Sequence, residues 1–334
     1  MNIPYRTRRA LRRIAMTILV IALIAAVVWL CWILWLDRYV VYTPEGVRLD
    51  FSSSSAEMSG EPAVPPEQET VSIYYNEGEN AINTSKELTR LQGYQITAED
   101  LEKDISAIRP KIQELEKGTA VMVDVKSIYG RFFYDSSISD KRDSDIDTAA
   151  MGELLEYLDL SGMYTIARLP AFRDYHYGLN HVNDGLPTAG GYLWMDDSSC
   201  YWLNPASQGT MTYLVQIVTE LKELGFDEVL FYDFRFPATD SIVFKGDQTQ
   251  ALRDAAQLLV DTCATEAFTV SFTGTAAFPM PEGRSRLYIS GVEAADVATV
   301  AQQTGISEPE LKLVFLTELH DTRFETYGVI RPLF

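Results

Sequence analysis

The stretch Gly225-Phe226-Asp227-Glu228-Val229-Leu230-Phe231-Tyr232-Asp233-Phe234-Arg235-Phe236-Pro237 starts after a helix-ending glycine and stops at a proline. An apolar and aromatic run bounded in this way reads as a buried strand of a parallel sheet. Two charges, Asp233 and Arg235, interrupt its last half. Strand alternation would put Phe231, Asp233 and Arg235 on one face and Tyr232, Phe234 and Phe236 on the other. The expectation is therefore an aromatic face under helices and a charged face lining a site.

Two more segments repeat the pattern. Ala120-Val121-Met122-Val123-Asp124-Val125-Lys126 ends in Asp and Lys, and Tyr164-Thr165-Ile166-Ala167-Arg168-Leu169-Pro170 ends in Arg before a proline. Buried strands charged only at their C-terminal ends match the mouth of a (β/α) barrel, where strand ends and loops carry chemistry. A structural Asp–Arg pair tying a strand end to a loop is the competing reading, since buried charges are paired for structural reasons too.

Around these segments the chain alternates strands and helices from residue 91 onward. Strands are expected near 91–96, 120–126, 163–169, 228–236, 268–274, 286–290, 311–318 and 327–331. Helices are expected near 98–117, 148–160, 206–224, 247–266 and 293–303. Thr97-Ala98-Glu99-Asp100 supplies an N-terminal cap, and Gly118, Gly225 and Gly305 suit C-terminal caps. Eight strands with intervening helices predict an α/β fold closed into a (β/α)8 TIM-like barrel. A doubly wound open sheet is the alternative, but Gly93 alone makes no dinucleotide fingerprint.

Ahead of the barrel, Ile14 to Leu36 is an uncharged apolar run of 23 residues. That suffices to cross a hydrocarbon core of about 30 Å at about 1.5 Å per residue. Trp29, Trp32, Trp35 and Tyr39 gather at one end, and five arginines (6, 8, 9, 12 and 13) precede the other. The reading is a single-pass anchor with a cytoplasmic tail at 1–13 and the remainder outside the cell membrane. No small-x-small cleavage site follows the run, which argues against a signal peptide. Residues 37–70 read as a juxtamembrane segment and a Ser/Pro/Glu linker, and 71–334 as the extracytoplasmic barrel domain. Whether a strand at 71–75 belongs to the barrel is open.

From residue 14 onward there are 23 basic and 47 acidic side chains. A surface this acidic repels phosphate backbones, so nucleic acid is excluded as a partner class. The three histidines (176, 181 and 320) and three cysteines form no zinc pattern, and neither metal nor cofactor is expected. Cys200 and Cys263 leave one disulfide possible but not specified. Neither a Gly-x-Ser-x-Gly elbow nor a phosphate loop is present.

What remains is carboxylates among aromatic rings. The long connection from Pro170 to Pro205 carries Trp194 and Trp202, and the loop after the second strand carries Tyr134. Such rings suit stacking on sugars, or form a miniature core for long loops. Carboxylate pairs at a barrel mouth serve glycoside hydrolysis. Asp233 and Glu318 are the candidate catalytic residues, with Asp124 expected to pair with Lys126 or Arg168. Asp124, Lys126, Arg168, Arg235, Tyr134, Trp194 and Trp202 are the candidate substrate-binding residues.

Several segments carry a family resemblance: Val123-Asp124-Val125-Lys126 with Gly130 and Tyr134-Asp135-Ser136, Tyr164-Thr165-Ile166-Ala167-Arg168, Trp202-Leu203-Asn204-Pro205, and Gly225-Phe226-Asp227-Glu228 through Arg235-Phe236-Pro237. Over roughly residues 91–240 the chain resembles a family of glycoside hydrolases with a TIM-barrel domain, found in secreted and membrane-anchored bacterial proteins. The resemblance implies a barrel acting on a glycan. Two departures stand out: Tyr232 occupies the place of the family's acid with Asp233 following it, and Asn204 replaces an Asp. A one-residue shift reverses a side chain's face unless the backbone bulges. Two functions follow: a membrane-anchored hydrolase of extracellular or cell-wall polysaccharide, or a non-catalytic glycan-binding or scaffolding barrel at the cell surface. No protein partner is specified.

Overall fold

The computed structural model describes residues 40–43, 46–49 and 88–334. The chain divides into two compact units, Met1–Asn76 and Glu77–Phe334. In the first, β1 (Val40–Thr43) and β2 (Gly46–Leu49) pair antiparallel, with Val40 opposite Leu49 and Thr43 opposite Gly46. The run Val-Val-Tyr-Thr is rich in β-branched and aromatic residues, which favour a pleated strand. The expected membrane span at 14–36 and the strand at 71–75 lie outside the described residues. No helix among the described residues is long and apolar enough to cross a membrane.

The second unit is a closed barrel of eight parallel strands. In chain order they are β3 (Gln92–Ile96), β4 (Ala120–Asp124), β5 (Tyr164–Pro170), β6 (Glu228–Tyr232), β7 (Thr269–Thr273), β8 (Leu287–Ser290), β9 (Leu313–Leu316) and β10 (Gly328–Pro332). Strand β10 closes the ring against β3, pairing Ile330 with Gly93. All eight strands expected from the sequence form. Four end sooner than expected, β7 by one residue and three at Asp124, Tyr232 and Leu316, where the chain turns into loops that carry the mouth.

The helices are α1 (Ala98–Asp104), α2 (Ile108–Gln113), α3 (Thr148–Ser161), α4 (Tyr175–Asn180), α5 (Gln208–Glu223), α6 (Gln248–Cys263), α7 (Val297–Thr304) and α8 (Pro309–Lys312). Thr97 and Asp100 form the reciprocal capping box on α1. The single helix expected over 98–117 is broken by a 3-10 turn at Ile105–Ala107. Pro110 lacks an N–H and crowds the preceding turn, so a continuous helix cannot run through it. Asp104 restarts the turn by accepting from the Ser106 backbone N–H. Gly305 caps α7 in the left-handed conformation at φ 62°, the role expected for it.

Alternation divides the strand residues between two cores. Ala120, Met122, Ile166, Leu230, Tyr288, Val314 and Ile330 fill the inside of the barrel. Val121, Val123, Ala167, Leu169, Val229 and Phe231 pack outward under the helices. Gly93 is required by this packing: a Cβ there would lie 2.0 Å from the Ala120 carbonyl oxygen. Near the N-terminal end of the interior, Glu228 is buried against the Arg286 guanidinium. The Tyr288 and Tyr164 hydroxyls also donate to Glu228, at 2.8 and 2.9 Å. Burial raises the Tyr288 hydroxyl well above its ordinary value, and the Glu228 charge adds to this.

Candidate active site at the barrel mouth

The charged strand ends meet at the C-terminal face, by a different geometry from that expected. Asp124 and Arg168 are register partners on β4 and β5. Side chains directly opposite on one face lie close together, and Arg168 Nη1 donates to Asp124 Oδ1 at 2.7 Å. The other oxygen, Asp124 Oδ2, accepts from the Ala98 backbone N–H at 3.0 Å, tying the mouth to the first turn of α1. Burial works against the charge on Arg168, but the adjacent Asp124 carboxylate outweighs it and holds the guanidinium above its usual value.

On β6 the alternation expected through Phe236 stops at Tyr232. Phe231 faces outward into the helix layer, whereas Tyr232 lies beneath the Arg168 guanidinium, 4.3 Å from its ring centroid. Asp233 then takes a left-handed backbone conformation, φ 51°. Asp adopts this region more readily than most residues, but it remains uncommon and stores strain. The conformation carries the Asp233 carboxylate to two arginines. Oδ2 accepts from Arg173 Nη1 at 3.2 Å and Oδ1 from Arg235 Nη2 at 3.3 Å. Its side chain is 16% exposed, while that of Arg235 is 54% exposed. Phe234 returns to the outer core against Phe172 and Phe272, 4.7 and 4.6 Å between centroids.

The long loop supplies two residues that the sequence reading did not single out. Arg173 bridges Asp233 and Asp196, with Nη2 2.7 Å from Asp196 Oδ2. Asp196 also accepts from the Trp202 indole N–H at 2.9 Å and from the Cys200 backbone N–H at 3.0 Å. Burial acts to raise Asp196, but these donors and Arg173 outweigh it and hold the carboxyl below its usual range. A carboxyl lowered on folding adds stability that is lost as pH falls through its folded-state value. Acid titration of Trp202 fluorescence should therefore show the loop loosening below the ordinary Asp range. The same transition in Asp196→Asn would sink this assignment. Trp202 is itself buried, flanked by Arg235 and Arg173 at 5.0 and 5.6 Å, with Trp194 6.2 Å away.

Two expected site residues are not at the mouth. Lys126 is buried, its Nζ 2.6 Å from Asp174 Oδ2, with exposures of 1% and 0%. The Tyr213 hydroxyl of α5 donates to the same Asp174 oxygen at 2.9 Å. Because β4 ends at Asp124, residue 126 no longer follows the strand's alternation, and it turns to the helix side. Tyr134 is likewise buried, donating to Glu220 on α5 at 2.8 Å. Both residues fasten loops to α5 and offer no surface to a substrate. Glu318 follows β9 at the mouth end and is exposed. Cys200 and Cys263 are both free thiols. Among the described residues, no group of three or more His, Cys, Asp or Glu is arranged to hold a metal.

Asp124, Arg168, Asp233 and Arg235 thus converge, completed by Tyr232, Arg173 and Asp196. A parallel barrel with carboxylates and aromatic rings at its C-terminal mouth is an architecture used by sugar-processing enzymes. The family model described as "Putative glycosyl hydrolase domain" (DUF4015) matches residues 95–268, just over half of the chain, and the chain belongs to that family. No curated protein is similar enough in sequence to match.

Among solved structures, an α-galactosidase from Lactobacillus brevis aligns with a TM-score of 0.50 at 11% identity, covering 75% of this chain and 38% of that one. A hypothetical protein from Ruminiclostridium thermocellum aligns at 21% identity over 53% of this chain and 96% of that one, TM-score 0.44. The glycoside hydrolase domain of PelA from Pseudomonas aeruginosa aligns at 12% identity over 74% and 95%, TM-score 0.44. At 11% identity the likeness to the α-galactosidase is one of fold.

Proposed function

We propose that the chain is a membrane-anchored glycoside hydrolase acting on an extracellular or cell-wall polysaccharide, with Asp233 as the central carboxylate. The observation carrying this reading is the left-handed backbone of Asp233, which turns the carboxylate into the mouth at a cost in strain. Strain of this kind is a reason to look for function there. Asp233, both of whose oxygens accept from guanidinium groups, is the proposed general acid/base. Glu318, exposed beyond β9, is the proposed second carboxylate. A separation of about 5–5.5 Å from Asp233 in the glycan complex would mark a retaining pair, and about 6.5–9.5 Å an inverting one. Release of reducing ends from bacterial envelope polysaccharides by the purified full-length chain tests the reading. A parent that cleaves none of them, while binding some, would transfer support to the second reading.

That second reading is a non-catalytic glycan-binding barrel. It is favoured by one feature: Asp124, Asp196 and Asp233 are all engaged by arginines, while Glu318 has no ion pair among the described residues. Either function is proposed to operate outside the cell, with residues 14–36 as anchor and the arginine-rich tail inside. In intact spheroplasts a C-terminal tag should be digested by added protease, and the chain should partition with membranes. A tag that becomes digestible only on lysis would overturn that orientation.

A further inference from the structure

A cavity of about 670 Å³ opens away from the mouth residues, between the loop after β4 and helices α4 and α5. It lies behind the segment that forms one wall of the mouth. Along Arg173-Asp174-Tyr175-His176, Arg173 belongs to the mouth, Asp174 is buried between Lys126 and Tyr213, and His176 lines the cavity. One side of the cavity is a stripe on α5: Gln208, Thr212 and Gln216, spaced by four residues and all exposed. Residues at this spacing share a helix face. Among the described residues their side chains have no hydrogen-bond partner. The opposite side carries Asn180 and His181. There the Tyr177 ring is stacked between those of His181 and Tyr213, at 4.2 and 4.0 Å and within 16° of parallel.

Of the charged side chains lining this cavity, Lys141 and Asp140 form an ion pair at 3.2 Å, and Asp184 is engaged by the neutral hydroxyls of Tyr177 and Ser207. Burial holds His176 below its usual value, favouring the neutral ring. What the cavity offers is two amides and a hydroxyl without hydrogen-bond partners among the described residues, together with the exposed His181 ring stacked on Tyr177. That combination suits a neutral, hydroxyl-rich chain far better than an ion.

We propose that this cavity is a second glycan site, holding a neutral stretch of a polysaccharide. Its ligand class rests on the glycan reading of the mouth, but its test does not depend on turnover. Binding of cellohexaose, N-acetylchitohexaose and their disaccharides to the full-length chain in detergent is measured by calorimetry. The parent is compared with Thr212→Trp, which puts an indole into the cavity, and with Gln208→Ala/Gln216→Ala, which removes its two α5 amides. Both variants alter exposed positions, and circular dichroism checks that they fold.

The expected result is that at least one hexasaccharide binds the parent and that both variants weaken it tenfold or more. Disaccharide affinity and any turnover of short substrates should be unchanged. Absence of hexasaccharide binding, or equal binding by parent and variants, overturns the second site. A parent that cleaves nothing but binds hexasaccharide through this cavity would instead retain the second site and remove the hydrolase reading. Asp233→Asn, which leaves the cavity intact, separates the two outcomes by keeping long-chain binding.

Discussion

Asp233→Asn is expected to lower glycan turnover by about 10²–10⁴-fold, the range associated with loss of a positioned proton-transfer group. The amide keeps the shape, and Asn tolerates the left-handed backbone that Asp233 adopts, so the loop geometry should survive. The stability cost should be small, for a reason visible in the partners. Arg173 keeps Asp196 at 2.7 Å, and Arg235 is already more than half exposed. Neither guanidinium is left as a buried, uncompensated charge, so the penalty of about 3–5 kcal/mol for orphaning a buried ion does not apply. Turnover and thermal melting measured on the same two proteins test this directly. A variant that melts well below its parent would make Asp233 a structural partner of its arginines. A variant that matches its parent in turnover would remove it from the chemistry.

The barrel was legible because its signals are local. Each strand is a short apolar run, each helix an amphipathic stretch with its own cap, and closure needs only their number and order. Asp124 with Arg168 was legible for a related reason, since strand ends at the same height in adjacent strands become neighbours once the sheet forms. The orientation at β6 was not. Alternation would keep Asp233 on the outward face of Phe231, but the left-handed backbone at Asp233 brings its carboxylate to the mouth beside the inward Tyr232.

Lys126 failed similarly, two residues past its strand's end. Arg173 and Asp196 come from one loop whose path is set by tertiary contacts such as the bridge between Arg173 and Trp202. Their separation in sequence carried no signal of their meeting. Glu228 shares the two-residue period of Leu230 and Tyr232, and the structure turns that face to the barrel interior. An acid there required a buried cation, and Arg286, at the start of the next strand but one, was available.

That interior pair yields a large expected effect on stability. Glu228→Gln should destabilise the barrel by about 3–5 kcal/mol, because Arg286 would stay buried with its charge uncompensated. For a domain of about 250 residues, each kcal/mol corresponds to about 2–4 °C in melting temperature, so the shift should be readily measured. The other contacts of Arg286 cannot absorb the loss. They are the Leu311 and Thr89 carbonyl oxygens and the Tyr164 hydroxyl, all neutral. Burial opposes the guanidinium charge, and it is the Glu228 carboxylate that holds Arg286 above its usual value.

Replacing both partners, Glu228→Leu with Arg286→Met, should recover part of the stability by removing both buried charges. Recovery should stay incomplete, since the Tyr288 hydroxyl donates to Glu228 and would lose that acceptor inside the barrel. The mouth lies at the opposite end of the strands, so a folded double variant should retain the activity of its parent. If Glu228→Gln melts with the parent, the pair is not what holds the base of the barrel together. If the double variant melts below the single one, the network of hydroxyls around Glu228 matters more than its charge.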